Sequence, residues 1–296
     1  ERPDVVAITA AMMGPTGLSE FAAMFPDRTF DVGIAEQQAA TAAAGMALAG
    51  LHPIVALYAT FINRAFDQVL MDCALHKAGV TFVLDRAGVT GDDGASHNGI
   101  WDLALMSIVP GVQIFAPRDV DTLQAALKRA VTVNDGPSIV RFSKGNVPPQ
   151  ISAVRRINDI DVLVDNDVCE VFLVGIGALA ELTVEIANSL NAIGIASIVV
   201  NPTRVFPIAQ DFTDFAIKAK LVVTIEDGLA RGGFGDALSA YLRDKNIFVP
   251  VKTFGVTDGF PRHAPRSKIL EESGLDCESI VESIKTSLAK RWIFAD

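Results

Sequence analysis

Short runs rich in β-branched residues, each followed by a longer amphipathic stretch, recur along the whole chain. This alternation constrains the fold more than any other feature. The runs are "VVAITA" (5–10), "PIVALY" (53–58), "VTFVLDR" (80–86), "VQIFAP" (112–117) and "SIVRFS" (138–143). Helix-like segments lie between them at 36–49, 61–77 and, after "PRDVD", 119–133. Strands this uniformly apolar are buried on both faces, which calls for a largely parallel sheet covered by helices. From about Val147 to Asp167 the chain turns polar and Pro-containing, and reads as a linker plus an entering strand. The alternation restarts with "EVFLVGIG" (170–177), a helix over 179–193, "ASIVVNP" (196–202) and "LVVTIEDG" (221–228). A helix after "GGFGD", the strand "VPVKTFGV" (249–256) and a terminal helix from about Glu278 complete it. The pattern predicts two α/β domains, 1–155 and 156–296, each a largely parallel sheet flanked by helices.

The 296 residues, half of them apolar, suffice for two such cores. A formal charge of -10 argues against a nucleic-acid-binding surface, which needs a basic face. Cys73, Cys169 and Cys277 are widely spaced, as free thiols of a reducing compartment are. The uncharged stretch 39–61 is interrupted by "GLHP" and reads as a buried helix and strand, not a membrane span. The opening "ERPDVVAITAAM" shows no signal peptide and no initiator Met, so a cytoplasmic piece of a longer protein is expected.

Several stretches carry chemistry. "DVGIAEQQAATAAAGMALAG" (31–50) is a nearly uncharged helical run with one carboxylate, Glu36, at its entrance. That carboxylate is either a favourable helix-start charge or a group held in an apolar place to share a proton. "DRAGVTGDDGASHNG" (85–99) leaves the carboxyl end of a strand, where open α/β sheets place ligands. Its His97 suits proton transfer near neutral pH, and Asp93 is close enough in sequence to orient it. In "YATFINRAFDQ" (58–68), positions 61, 64 and 68 share a helical face, so Phe61 and Arg64 point the same way. "VRFSKGN" (140–146) offers Arg141 and Lys144 near a glycine, which suits a phosphate or an ordinary strand end. "GIGALAE" and "EDGLARGGFGDA" lack a full dinucleotide or P-loop pattern and read first as tight turns, with helix-start amides still able to hold an anion. His52, His76 and His263 lie far apart and point to no metal site.

Read in order, "FPDRTFDVGIAEQQAATAAAGMALAG", "YATFINRAFDQV", "DRAGVTGDDGASHNGIWDL", "NDGPSIVRFSKGN" and "EDGLARGGFG" resemble the carboxyl-terminal half of the 1-deoxy-D-xylulose-5-phosphate synthases. These are transketolase-like, thiamine-diphosphate-dependent transferases of isoprenoid and thiamine biosynthesis. The resemblance implies a pyrimidine-binding domain followed by a transketolase-type carboxyl-terminal domain. It places Glu36 at N1′ of the cofactor aminopyrimidine, with Phe61 stacking on that ring and Ile34 enforcing the bent cofactor. Tyr58 and Arg64 fall beside the cofactor and, with Arg86, Asp93 and His97, line the substrate and the covalent intermediate. Arg86 and Lys144 would hold the phosphate of glyceraldehyde 3-phosphate, the partner of pyruvate. Glu36, His97 and Asp93 would carry the proton transfers, Glu36 with its pKa raised by its apolar setting.

Two departures stand out. Family members commonly read AEQH where this chain has Gln38, and a second Arg is usual at Lys144, whose ammonium lacks the bidentate fork. The GDG motif that binds the diphosphate and Mg2+ is absent, since "GDDG" (91–94) lies in a different loop. The chain is therefore expected to hold only the aminopyrimidine end of the cofactor, to be inactive alone, and to form a homodimer in the complete enzyme. The alternatives are a separate subunit of a split transketolase or 2-oxo-acid dehydrogenase (E1 beta type), and a non-catalytic assembly module.

Overall fold

The fold was obtained as a computed structural model that describes residues 2–257 and 259–291. The amino-terminal runs become β1 (Val5–Thr9), β2 (Thr29–Asp31), β3 (His52–Tyr58), β4 (Thr81–Asp85), β5 (Gln113–Phe115) and β6 (Ser138–Arg141). They stand in the order β5-β6-β4-β3-β1-β2, all parallel. The later runs become β7 (Arg155–Ile157), β8 (Ile160–Val164), β9 (Val171–Gly175), β10 (Ser197–Pro202), β11 (Arg204–Phe206), β12 (Leu221–Leu229) and β13 (Val251–Val256). Six of these form a second sheet, β13-β12-β9-β10-β8-β7, parallel except at β8 and β7. Every residue of β9 and β10 is buried, as strands covered on both faces must be. The expected pair of helix-flanked, mostly parallel sheets is what forms.

Three details differ from the sequence expectation. The short strand β2 was not foreseen. The polar stretch after Val147 holds a small antiparallel pair, β7 and β8, where one strand was expected. β11 leaves the second sheet and pairs antiparallel with β5, becoming the seventh strand of the first. The buried Arg118 adds a second tie between the sheets, donating to Asp161 Oδ2 at 2.6 Å and to Asn201 Oδ1 at 3.0 Å.

Two segments set up the site. The helix Glu36–Leu48 buries Ala39, Ala40, Ala43 and Ala44, an i, i+4 stripe whose small side chains permit close packing on the core. The segment expected as one helix over 61–77 is instead a 3₁₀ stretch (Ala59–Ala65), a single α turn (Phe66–Gln68) and a π turn (Val69–Ala74). In a 3₁₀ helix, residues three apart eclipse, so Phe61 and Arg64 still project from one side.

Candidate active site

The carboxyl ends of β3, β4 and β6 deliver the site. β3 ends at Tyr58 and runs into the 3₁₀ stretch with Phe61 and Arg64. β4 ends at Asp85 and opens the loop with Arg86, Asp93 and His97. β6 ends at Arg141, three residues before Lys144.

Glu36 is the first residue of its helix and only 2% exposed. A carboxylate there interacts favourably with the helix dipole, and Ala35 before it supplies no side-chain cap. Its Oε2 lies 3.2 Å from Arg64 Nη1 but accepts no hydrogen bond. Arg64 is half exposed, so one of the two groups faces outward. The setting of Glu36 is thus less purely apolar than the sequence implied, because a cation stands beside it. A buried acceptor with no hydrogen-bond donor is costly and rare in a native fold. It marks a place where a hydrogen-bond donor from a ligand would fit.

A second group adjoins it through Phe61. The Phe61 ring lies nearly parallel to Tyr58 (14°, centroids 5.9 Å apart) and meets the His97 ring edge-on at 5.6 Å. The Arg86 guanidinium sits 4.3 Å above the Tyr58 ring, a cation–π contact. Arg86 adopts a left-handed backbone conformation (φ 60°), and its N–H donates to Asp85 Oδ1 at 2.7 Å. Its side chain pairs closely with Asp93. Lys144 Nζ reaches Asp92 and Asp93, both at 2.7 Å. Burial pushes the Asp93 carboxyl up, but hydrogen bonds from Lys144 and Arg86 outweigh it and hold Asp93 below the usual range. The bonds that Lys144 donates to Asp92 and Asp93 raise its own pKa.

Tyr58, Phe61, Arg86, Asp93, His97 and Lys144 therefore form one contiguous cluster, with Glu36 and Arg64 joined to it by the Ala59–Ala65 stretch. Ile34 lies two residues before Glu36 and is exposed. Two expectations need correction. Asp93 does not orient His97: it is engaged by two cations, and Ser96 Oγ is the partner of His97 Nδ1 at 3.0 Å. Arg141 is not available to a phosphate, because it is buried between Asp102 (2.6 Å) and Asp227 (3.3 Å). Glu226 fills another place read as a possible anion site. Its carboxyl accepts N–H bonds from Phe234 and Gly235 at the start of the helix Phe234–Asp244, and burial pushes it up to about 7. No side-chain spacing announced this, although an acidic pair just before a glycine-rich turn is the pattern that produces it. Among the described residues no group of His, Cys, Asp and Glu is placed to hold a metal ion, and no helix is long and apolar enough to cross a membrane.

Two mostly parallel sheets carry a buried helix-start glutamate and, at the carboxyl ends of their strands, a stacked Tyr58–Phe61 pair. The chain belongs to the transketolase family: residues 1–150 match "Transketolase, pyrimidine binding domain" and residues 161–280 match "Transketolase, C-terminal domain". Dependence on thiamine diphosphate comes with that family. Within it, the chain is 52% identical over 292 residues to "1-deoxy-D-xylulose-5-phosphate synthase 2" of Streptomyces avermitilis, covering 98% of this chain and 46% of the relative. It is 53% identical over 285 residues to the 1-deoxy-D-xylulose-5-phosphate synthase of Leifsonia xyli subsp. xyli, covering 96% and 44%. The chain spans about half the length of these relatives and matches their carboxyl-terminal half. Among solved structures, "Split gene transketolase, inactive beta4 tetramer" superposes with a TM-score of 0.83 at 32% identity, covering 97% of this chain and 92% of that one. Transketolase from Campylobacter jejuni gives 0.79 at 21% identity over 96% of this chain and 44% of its own, a likeness of fold.

Proposed function

We propose that this chain is the pyrimidine-binding and carboxyl-terminal part, divided near residue 155, of a cytoplasmic, homodimeric 1-deoxy-D-xylulose-5-phosphate synthase. That enzyme decarboxylates pyruvate and joins the remaining two carbons to glyceraldehyde 3-phosphate. The diphosphate and Mg2+ site is assigned to an amino-terminal part, and the chain alone is expected to be inactive. The observation that carries this reading is the buried Oε2 of Glu36, which accepts no hydrogen bond, together with identity above 50% to synthases of that name.

The cofactor, when bound, supplies the nucleophilic carbon and the electron sink. Glu36 would hold a proton at N1′, and Phe61 would pack on the aminopyrimidine, with Ile34, Tyr58 and Arg64 around it. Ser96 occupies Nδ1 of His97, which leaves Nε2 to exchange a proton with a substrate oxygen. Asp93 holds Arg86 and Lys144 together instead of orienting His97, so its part in catalysis is to place these two cations. A phosphate dianion bound there would compete with Asp92 and Asp93 for both.

The test is reconstitution: the chain, a separately supplied amino-terminal half, thiamine diphosphate, Mg2+, pyruvate and glyceraldehyde 3-phosphate. Product is expected only when both halves are present. A second reading, the separate subunit of a split transketolase, is favoured by the almost complete mutual coverage with the split-gene chain. It predicts turnover of a ketose phosphate donor in place of pyruvate, and that result would overturn the first reading.

A further inference from the structure

The loop that carries Arg86, Asp92, Asp93 and His97 belongs to the first sheet by sequence, but its underside is built into the second domain. Val89 and Ile100, both fully buried, lie in the hydrophobic cluster of the carboxyl-terminal domain with Val171, Leu173, Val223 and Ile225. Beneath the loop stands Asp227, buried at the end of β12. It takes Arg141 on one oxygen (3.3 Å), and Ser143 (3.1 Å) and Arg266 (3.0 Å) on the other. Arg266 also donates its Nε–H to the Val89 carbonyl at 2.9 Å. The approach is close enough to exclude side chains. A Cβ on Gly88 would lie 2.1 Å from Asp227 Oδ2, and one on Gly91 would lie 2.6 Å from the Arg266 backbone nitrogen. Both glycines have positive φ, which strains any other residue there. Above this base, Gly88 and Gly99 exchange backbone hydrogen bonds at 2.8 Å, and the buried Asn98 side chain accepts from Thr90 N–H at 2.9 Å.

We propose that Arg266, held by Asp227, is a positioning residue of the site: it locks the Arg86–His97 loop onto the carboxyl-terminal domain so that Arg86, beside Lys144, meets the aldehyde's phosphate correctly. The physical reason is the division of labour in one guanidinium. Its fork spans a carboxylate of one domain and a carbonyl of the other, which a point-charge ammonium cannot reproduce in full. The substrate part rests on the function proposed above; the holding of the loop does not.

The test therefore has two arms. In the chain itself, hydrogen exchange is measured for wild type, Arg266→Met and Arg266→Lys. Met keeps the aliphatic stem, and Arg141 and Ser143 still partner Asp227, so the fold is retained. The Gly88, Thr90 and Gly99 amides are expected to exchange about tenfold faster in Arg266→Met, the loss of one charge-assisted hydrogen bond. The Val171–Gly175 amides should keep the wild-type rate, and Arg266→Lys should recover part of the protection. Unchanged loop exchange, or equal acceleration in Val171–Gly175, would overturn the proposal. In the complete enzyme, KM for glyceraldehyde 3-phosphate is expected to rise about tenfold with pyruvate decarboxylation nearly unchanged. Loop exchange that accelerates without a rise in KM would overturn the positioning role. A complete enzyme inert toward both substrates would instead count against the synthase reading, with the exchange result standing by itself.

Discussion

Among the described residues two glutamates are almost completely buried, each with its carboxyl at the start of a helix, yet they are built oppositely. Glu226 reaches the Phe234–Asp244 helix from β12, and both its oxygens accept backbone N–H groups, at 3.0 and 2.9 Å. It satisfies donors that every helix start leaves over, as a capping side chain does. Gly233 makes room for it, since a Cβ there would come within 2.4 Å of Oε2. Glu36 is the first residue of its own helix; its Oε2 accepts no hydrogen bond, and the Arg64 guanidinium stands 3.2 Å away. One carboxyl is used up by the fold. The other keeps an oxygen that, like Gln68 Oε1 and Thr224 Oγ1, is buried without a hydrogen-bond partner among the described residues, and the role proposed for Glu36 rests on that open acceptor.

The largest effect expected from this contrast is on turnover. Glu36→Gln in the complete enzyme keeps size and shape but cannot share a proton. The rate should fall by about 10²–10⁴, the usual contribution of a positioned proton-transfer group. The same change should cost the isolated chain only about 1 kcal/mol or less, because no hydrogen bond to Oε2 is lost and only the helix-start charge and the pair with half-exposed Arg64 go. Denaturant titration and a product assay read the two quantities. Undiminished turnover would remove Glu36 from the mechanism and leave the assembly-module reading.

Much of the fold was legible because a doubly covered sheet writes itself as continuous apolar runs: β9 and β10 could hardly have been anything else. β2 and β11 were not legible, being three residues each with a charged residue among them, and β11 (Arg204–Phe206) takes its partner from the other domain, a choice made by tertiary packing. The broken helix after β3 escaped because apolar spacing of 3.6 does not separate an α-helix from alternating 3₁₀ and π turns. At the site, Glu36, Phe61, Arg86 and His97 came from motif resemblance, and the structure places them within one neighbourhood. Asp227 and Arg266 gave no local signal: each acts on a loop more than a hundred residues earlier in the chain. The Asp93–His97 pairing failed for an electrostatic reason, since Arg86 and Lys144 both hold that carboxylate in charge-assisted hydrogen bonds.

A middling effect is expected at Glu226. Replacing it by Gln turns an amide NH2 toward one of two backbone N–H donors, so a buried donor loses its acceptor. That should cost about 1–3 kcal/mol of stability, seen as a lower denaturant midpoint at pH 5. The pH dependence follows from burial, which raises the carboxyl from 4.5 to about 7 in the folded chain. Between these values the folded state binds more protons than the unfolded one, so wild-type stability falls as pH rises through 4.5 to 7. Glu226→Gln carries no such proton, and its deficit against wild type should shrink over that window. A deficit that stays constant from pH 5 to pH 7.5 would mean that Glu226 is ionised throughout.

The smallest effect is expected at Ser96, which is exposed and holds His97 Nδ1 through one hydrogen bond. Ser96→Ala should leave stability within about 0.5 kcal/mol, as surface changes usually do. The imidazole would keep its edge contact with Phe61 but lose the bond that fixes which nitrogen carries the proton. Turnover should therefore fall only several-fold, on the order of a single exposed hydrogen bond of about 1 kcal/mol. A product assay at saturating substrate, beside a denaturant titration, reads the two quantities. If Ser96→Ala proved as damaging as Glu36→Gln, the tautomer of His97, and not the open valence of Glu36, would be the feature on which the site depends.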